Sequence, residues 1–498
     1  MTTEVEGPFG VPLPEREQAA NLKAEELNLF DSTAVAVSSV APAYSLAATM
    51  VLLFTTAGVA YAGPAVIWVS FIPVVFIAVS YFHLNRKDPD CGASYSWLSK
   101  LISPYFGWFN GWVQIATSVI FCVVAPLLAG QYTIQFAASL GWCSQTTVNS
   151  IPWISVIGAI WLGIITFICV WGIRWTTNFQ WMMVIIEYVC VVGFSLWGIL
   201  KVAITHPAGS RGFNIAWFNP LNIKGFGALA AGAVLGIFFF WGWDTALNLT
   251  EESKDSRSNP GRAGIISMYL LLFVFLLNIV AAQMLLPPAV ITAQGSNILF
   301  YFANHAVGTW AGYVMIVAVL SSTVGTTQTT LLPAARITYS MARDRVFPRV
   351  FGTIEGKRQT PAIGTLIIAF LCLFGILLVS QSKGAYNVLQ NDLYGDIGVL
   401  IAFYYGVTGL ACGWAFRKVV FKSVRFFFMG ILFPITSGII LLLIGYKVFH
   451  DGWFNPANNT ALPIAITMIL GVILVIVARI FGHSGFFKTK VIAYDTIE

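Results

Sequence analysis

Charged side chains are scarce in this sequence. Asp, Glu, Lys and Arg make up 10% of the 498 residues, whereas hydrophobic residues make up 57%. Soluble domains carry about 25% charged residues, so this composition excludes a string of soluble domains. The few charges that remain therefore indicate where the chain meets water and where it does not.

Cysteine and histidine are also rare, and their positions exclude several classes of protein. Only Cys143 lies near the predicted outer surface, Cys91 lies in a basic connection, and the others fall inside long apolar runs: Cys122, Cys169, Cys190, Cys372 and Cys412. An extracellular disulfide within the chain is therefore excluded. The five histidines lie in connections or at run ends, without metal or haem spacing. No catalytic constellation is visible, so we expect no metal, no cofactor and no enzymatic activity.

Apolar runs long enough to cross a bilayer recur along the whole chain. Hydropathy and charged breaks place twelve spans at about 34–60, 64–84, 105–136, 153–171, 178–200, 226–250, 263–286, 310–334, 362–380, 393–415, 429–448 and 462–481. We predict an all-α integral membrane protein with one membrane domain, 31–482, between a tail at 1–30 and a tail at 483–498. The first tail is polar and acidic, unlike a cleavable signal peptide.

Basic residues are distributed unevenly between the two sides of the predicted membrane. If the N-terminus is cytoplasmic, 22 of the 27 Lys and Arg residues fall on the inner side. This skew follows the positive-inside rule with both termini in the cytoplasm, as in a multi-pass protein of the cell inner membrane. The net charge of +6 then reflects topology and contact with anionic lipid, not binding of nucleic acid.

The sixth predicted span is interrupted near its middle. Gly242 and Asp244 stand there between hydrophobic sequences. Such a break leaves backbone amides and carbonyls without helical partners, and lipid cannot satisfy them. Broken helices at this depth line the binding sites of many secondary transporters, so the sequence predicts movement of a small solute.

The first predicted span carries a second interruption. Pro42 removes one amide and disfavours helix at Ala41. The hydroxyls of Ser38 and Ser39 can bond the freed carbonyls. The alternative is a proline kink with serine back-bonding; beside the break in the sixth span, we favour a binding site.

Three connections carry recurring motifs. Residues 86–97 read RKDPDCGASYSW and 106–112 read FGWFNGW; residues 251–254 and 259–260 read EESK and NP; residues 336–348 read RITYSMARDRVFP. The chain resembles the amino acid–polyamine–organocation transporters, whose patterns are Pro…Gly-Gly-x-Tyr…Gly-x-x-x-Gly-Trp, Glu-Glu…Asn-Pro and Arg-x-x-Tyr-x-Met-Ala-Arg-Asp-Gly-x-x-Pro. It departs at Ala93, which replaces a Gly, and in the first span, where Val40-Ala41-Pro42 replaces Gly-Ser-Gly.

The resemblance implies a LeuT-type fold of 5+5 inverted repeats with substrate between broken helices 1 and 6. Unpaired amides near Ala43 are then expected to bind a carboxylate, and carbonyls to accept from an ammonium. Phe238 occupies the position of an aromatic gate over substrate; the alternative is ordinary packing. The implied substrate site comprises Ser38, Ser39, Ala41, Pro42, Ala43, Phe238, Phe240, Trp241, Gly242, Asp244 and Thr330.

Two acids lie well inside predicted spans. Glu187 is near the middle of the fifth, where a carboxylate is costly, on the order of 2–3 kcal/mol, and usually faces a cavity or a partner. We predict that Glu187 couples transport to a proton or a cation, with Ser322 and Thr326 opposite; a structural hydrogen-bonding role is the alternative. Asp244 either binds a cationic substrate or caps the inner half-helix.

The sequence therefore predicts a proton-coupled amino acid permease that works by alternating access. A polyamine or organic amine transporter, or an exchanger, is the alternative within the same family. A transporter-like nutrient sensor and a channel are alternatives of a different class; a channel requires a continuous polar stripe, whereas two buried acids and two isolated breaks suit an occluded site. The expected partners are a small amino acid or amine, a coupling proton or cation and the lipid bilayer, with no nucleic acid and no obligate protein partner.

Overall fold

A computed structural model of the chain describes residues 22–144, 146–391, 393–420, 422–454, 461–481 and 485–496. Parts of the two predicted tails, residues 1–21, 483–484 and 497–498, lie outside the described residues. The described residues form helices joined by loops and turns. They contain no strand, only an isolated bridge between Leu27 and Ser253. The predicted all-α class is confirmed.

The long helices overlap the predicted spans, but several of their ends differ by five to nine residues. They are α1 (Leu29–Val40), α2 (Pro42–Thr55), α3 (Gly63–Lys87), α4 (Ser94–Leu101), α5 (Pro104–Ser139), α6 (Ile151–Trp171), α7 (Ile173–Thr205), α8 (Gly225–Phe239), α9 (Thr245–Asn248), α10 (Asn259–Leu285), α11 (Pro288–Ala293), α12 (Ile298–Ala306), α13 (Thr309–Arg343), α14 (Ala362–Ser380), α15 (Lys383–Asn391), α16 (Leu393–Ala415), α17 (Val424–Phe426), α18 (Phe433–Trp453) and α19 (Ala461–Phe481). A π-helical turn, Phe427–Leu432, joins α17 to α18.

Eleven segments in the described part of the chain are long and apolar enough to cross a membrane; α1 and α2 count as one segment, and so do α17, the π-helical turn and α18. The predicted span at 226–250 is instead the 15-residue α8, a non-helical turn and the four-residue α9. The interruption itself explains why this span falls short, and the count of twelve stays a prediction.

Burial separates an inner from an outer set of helices. In the apolar windows of α1–α2, α5 and α16, 83% of the residues are buried, against 28% for α19 and 33% for α14. The long α13 packs on α5, and α10 packs on α3 and α1. Because lipid is as apolar as a helix surface, the outer helices leave large hydrophobic side chains exposed, such as Phe370 and Ile480.

The described ends of the chain lie on one side of the bundle. Glu26 and Leu27 bond the backbone of Glu252, and Ile492 bonds the carbonyl of Lys100. We call this side the tail side and the opposite one the distal side. The connections after α3, α9 and α13 lie on the tail side, since Arg343 at the end of α13 pairs with Asp90 and with Glu251.

Candidate functional site at two helix breaks

The first break lies at Ala41, between α1 and α2. Ala41 adopts a left-handed conformation, with φ 50° and ψ 75°, and Pro42 is the first residue of α2. A proline has no amide and restrains the residue before it from helix, so the break follows from the local sequence. The predicted interruption of the first helix is confirmed.

Hydroxyl groups satisfy the carbonyls that this break frees. Ser45 Oγ donates to the Val40 carbonyl at 2.8 Å, and Thr326 Oγ1 on α13 donates to the Ser39 carbonyl at 2.6 Å. Ser38 Oγ donates to Gln180 Oε1 on α7. The Thr326 hydroxyl therefore holds the end of α1 and does not donate to Glu187, the acid with which the sequence grouped it.

The two free amides at the start of α2 are bound by side chains from other helices. The Ala43 amide donates to Glu187 Oε1 at 2.6 Å, and the Tyr44 amide donates to Ser322 Oγ at 3.0 Å. Ser322 in turn donates to the same Glu187 oxygen at 2.8 Å. Glu187 is 0% exposed, and its Oε2 has no hydrogen-bond partner among the described residues. A carboxylate at a helix N-terminus satisfies the amides and the positive end of the helix dipole.

This contact bears on the expected substrate carboxylate. The amide of Ala43, which the sequence assigned to a ligand, is bonded to the protein's own acid, and Pro42 has no amide to offer. Recognition of a substrate carboxylate at this helix end therefore stays a prediction, and it requires Glu187 to withdraw. The expected proximity of Glu187 to Ser322 is confirmed.

The second break lies directly against the first. Gly242 has φ +117°, and a Cβ atom there would lie 2.7 Å from Ser39 Oγ and 2.9 Å from the Ser39 carbonyl carbon. Across the same contact, Ser39 Oγ and Thr245 Oγ1 are 2.9 Å apart. Only glycine combines this backbone conformation with so close an approach, which explains the residue type at the break.

Asp244 follows the break and points into the bundle. It stands at the position that would cap α9, but its side chain makes no capping bond to α9, so the capping alternative is wrong. Its Oδ1 instead accepts from the Tyr405 hydroxyl on α16 at 2.9 Å, and the residue is 7% exposed. A buried carboxylate with phenolic partners is suited to receive a cation.

A small polar cavity lies beside the two breaks, and we call it the central cavity. Its volume is about 20 Å³, enough for a water molecule, so the space around Asp244 is nearly closed. Five helices contribute to its lining, which consists of Ser39, Gln114, Ser118, Trp241, Gly242, Asp244, Thr245, Asn248, Thr330, Pro333, Ile337 and Tyr404. One lining residue is a carboxylate and none is basic.

Five aromatic side chains form what we call the aromatic plug: Tyr44, Phe121, Phe238, Trp241 and Tyr394. The ring of Phe238 lies 5.2 Å from that of Tyr394 and 6.2 Å from those of Phe121 and Trp241. The hydroxyls of Tyr44 and Tyr394 are 3.3 Å apart. Phe238 is 2% exposed, so it lies at the centre of a closed aromatic layer.

The plug separates the central cavity from a larger one on the distal side. This distal vestibule has a volume of about 610 Å³ and is lined by α2, α5, α6, α15 and α16. Tyr394 belongs to its lining, whereas Trp241 lines the central cavity. Any solute that passes from one cavity to the other must therefore displace plug residues.

Ion pairs close the tail side beneath the central cavity. Arg336 makes two 3.0 Å bonds to Glu252, with the side chains 1% and 0% exposed. Arg343 pairs with Asp90 at 2.7 Å and with Glu251 at 3.0 Å. Asp90 and Glu251, with Cys91, form a group of potential metal ligands, but the guanidinium of Arg343 already pairs with both carboxylates.

The same side holds an acid whose pKa is displaced. Burial, and then the neighbouring Asp90, raise the pKa of Asp344 to about 6 from 3.8. The Tyr95 hydroxyl donates to Asp344 at 2.7 Å and partly offsets this rise. Burial acts to raise the pKa of Asp90 as well, but the positive charges of Arg343 and Lys100 outweigh it and hold this pKa well below the usual range.

Comparison with known proteins agrees with this arrangement. The description of the matching family is "Amino acid permease", and the match covers residues 27–497. The chain belongs to the amino acid permease family. It is a multi-pass membrane protein, and its two broken helices agree with the expected LeuT-type architecture.

Over the aligned residues, three named relatives are between 23% and 28% identical to this permease. The low-affinity putrescine importer PlaP of Escherichia coli (strain K12) is 23% identical over 380 residues, 74% of this chain and 77% of that protein. The human large neutral amino acids transporter small subunit 2 is 24% identical over 405 residues, 78% and 69% of the two chains. The probable amino-acid permease meu22 of Schizosaccharomyces pombe is 28% identical over 381 residues, 72% and 62%.

Not every predicted site residue of the permease reaches the cavity. Ser39, Trp241, Gly242, Asp244 and Thr330 line it. Ser38, Ala41, Pro42 and Ala43 form the first break, and Phe238 the plug. Phe240 points the other way: its ring packs on Phe71 of α3 and Phe275 of α10, at 5.6 and 5.5 Å.

Several contributors were missed by sequence reasoning. Gln114 and Ser118 on α5 line the central cavity, and Tyr404 on α16 both lines it and accepts from Trp241 Nε1. Gln180 on α7 connects Ser38 to Gln328. A glutamine in the middle of an apolar span was the available signal, because a buried amide requires partners.

Proposed function

We propose that this permease is a secondary active transporter of small organic ammonium ions, amines or amino acids, that works by alternating access. The observation that supports it best is the contact between the two helix breaks beside Asp244, with the aromatic plug above and the ion pairs of the tail side below. A nearly closed polar space between two barriers is what an occluded transport site requires. A channel needs a continuous polar path.

Asp244 is proposed to bind the ammonium group of the substrate. The aromatic faces of the plug can add a cation–π contribution of about 0.5–2 kcal/mol. Within this class we favour amines that lack a carboxylate, because Glu187 and Ser322 already bond the amides of Ala43 and Tyr44. The name of the bacterial relative, a putrescine importer, supports the same choice.

Amino acids are the second candidate, and the family description and the human relative support them. They would require the carboxylate of Glu187 to leave Ala43 so that the carboxylate of the substrate replaces it. Liposomes containing the purified chain, tested with matched pairs such as lysine and cadaverine, would separate the two candidates. We expect the decarboxylated partner to be taken up at least as well. Preferential uptake of the amino acid would contradict this choice without contradicting transport, and loss of both by Asp244→Asn would support the shared ammonium site.

Glu187 is proposed to couple transport to the proton gradient. In its ionised form it is a strong cap for α2, since charge-assisted hydrogen bonds are about twice as strong as neutral ones. Protonation weakens the attachment of α2 to α7 and α13, and α2 also lines the distal vestibule. Loss of the proton would therefore favour one position of α2 and gain of the proton another.

We place the tail side in the cytoplasm and the distal vestibule outside, in the cell inner membrane. The excess of Lys and Arg on the tail side supports this orientation. Uptake is then the expected direction, from the vestibule through the plug to the central cavity. Labelling of a single cysteine introduced at Lys383, which lines the vestibule, by an impermeant reagent on intact cells would test it; reaction only in inverted vesicles would reverse the orientation.

A further inference from the structure

A groove on the tail side faces the surrounding lipid and has no role in transport described above. It has a volume of about 580 Å³ and lies where α5 and α19 reach the membrane surface beside the connection after α13. We call it the tail-side groove and define it by Trp108, Trp112, Arg345, Arg349, Leu474 and Phe481. The central cavity and the distal vestibule share none of these residues.

The walls of the groove are apolar and fixed. Trp108 Nε1 donates to the Val346 carbonyl at 3.0 Å, and Trp112 Nε1 donates to the Thr467 carbonyl at 2.9 Å. With both indole N–H groups bonded to backbone, the rings offer apolar surface. Phe481 on α19 is 73% exposed. A cleft of this kind between the ends of transmembrane helices is in contact with acyl chains. These fill it in preference to water, because its apolar walls offer water no hydrogen bonds.

Positive charge lies at the rim of the groove. Arg345 and Arg349 are both exposed, and among the described residues neither forms an ion pair. The adjacent acid, Asp344, accepts from Tyr95 inside the bundle. Arginine offers a planar set of donors that suits phosphate.

The backbone at Arg345 is strained. Its φ is +60°, a left-handed conformation that disfavours side chains other than those of Gly, Asn and Asp. This residue ends α13: the Arg345 amide donates to the Ala342 carbonyl and the Val346 amide to the Met341 carbonyl, both at 3.0 Å, as at many helix ends with a left-handed residue. The turn that ends α13 leaves Arg345 in the lining of the apolar groove.

We propose that the tail-side groove binds an anionic phospholipid. An acyl chain lies along the tryptophans of α5 and the apolar face of α19, and Arg345 and Arg349 bind the phosphate. The negative charge of the lipid is what selects it over a zwitterionic one. Each arginine near an anionic surface contributes about fivefold to the affinity.

Native mass spectrometry of the full chain with added phosphatidylglycerol or phosphatidylcholine tests the proposal. We expect wild type to prefer phosphatidylglycerol by about 30-fold, Arg345→Gly to lose about fivefold of this, and Arg345→Gly with Arg349→Gln to lose the preference. Arg417→Gln is the matched control, because Arg417 is an exposed tail-side arginine that bonds the Trp414 carbonyl at 2.7 Å, outside the groove. An unchanged preference in the double variant would overturn the proposal.

Thermal unfolding measured with and without lipid provides a second test, because it distinguishes a loss of lipid binding from a folding defect. Because glycine relieves the strain at residue 345, Arg345→Gly should be at least as stable as wild type without lipid, yet gain less from phosphatidylglycerol. Ala478→Trp, which fills the groove, should lose binding of both lipids. Deletion of residues 2–21, an acidic segment with Phe9, should leave lipid binding unchanged. A rise of tenfold or more would identify that segment as the occupant and overturn the lipid assignment.

Discussion

Replacement of Glu187 separates its capping role from its proposed coupling role. Glu187→Gln keeps an oxygen that accepts from Ala43 and Ser322, while Glu187→Ala removes it. Both changes lie at the same buried point between α2, α7 and α13. The two variants therefore differ in whether α2 keeps its cap, and they share the loss of a titratable group.

The expected stability changes follow from these contacts. If Glu187 is ionised, Glu187→Gln exchanges charge-assisted bonds for neutral ones and loses an interaction with the helix dipole, about 1–2 kcal/mol together. Glu187→Ala leaves the Ala43 amide buried without a partner, at about 1–3 kcal/mol, and adds a cavity term. We expect the order wild type, Gln variant, Ala variant in thermal unfolding of the purified chain.

Transport by the Gln variant tests coupling directly. In liposomes, Glu187→Gln should still exchange labelled substrate across the membrane but should not accumulate it under an imposed pH gradient. Asp396→Asn is the control, because Asp396 is another buried carboxylate, 4% exposed, on α16. Accumulation as strong as that of wild type would refute coupling through Glu187. An Ala variant as stable as the Gln variant would refute the capping role, and loss of a sodium dependence would make Glu187 a cation ligand.

Three further predictions concern the breaks, the plug and the tail side. In thermal unfolding, Gly242→Ala should destabilise the protein by about 1–3 kcal/mol from the backbone alone. Gly227→Ala is the control and should be neutral or stabilising, because nothing lies within 4 Å of the added Cβ. Equal effects of the two changes would contradict the contact between the breaks. Phe238→Ala should sharply reduce uptake without loss of expression. Phe240→Ala truncates an aromatic residue that faces away from the cavity and should affect stability more than uptake. Normal transport by the Phe238 variant would contradict the assignment of Phe238 as a gate. The raised pKa of Asp344 means that its contribution to stability is fully present below the unfolded value of 3.8 and lost as pH rises through about 6, so wild type should gain up to about 3 kcal/mol relative to Asp344→Asn as pH falls from 7.5 to 4. If the unfolding temperatures of wild type and Asp344→Asn changed in parallel from pH 7.5 to 4, the raised pKa of Asp344 would be contradicted.

Local chemistry made both helix breaks predictable. Pro42 removes an amide wherever the chain goes, and a Gly two residues before an acid in an apolar run creates a defect that lipid cannot repair. The positions of the membrane helices were also accessible, although not their exact ends, since hydropathy and charge respond to the bilayer before any tertiary contact forms. The sequence was therefore sufficient for the architecture and for the neighbourhood of the site.

The side of a helix on which each side chain lies could not be predicted from the sequence in the same way. Phe238 and Phe240 are two residues apart in one apolar run, yet one lies in the plug and the other packs on α3 and α10. A helix that is apolar on all sides gives no periodic signal of which face is inside. Only the packing of neighbouring helices distinguished the two phenylalanines.

The sequence by itself determined that this chain crosses a membrane many times, that helices 1 and 6 break, and that Glu187 and Asp244 are exceptional. These properties depend on the energy of single residues in lipid. Tertiary structure alone decided that Glu187 bonds the Ala43 amide, 144 residues away along the chain, and that Asp244 turns from α9 to Tyr405. A buried polar group takes whichever partner the fold brings within about 3 Å, and that distance is set by how the helices pack.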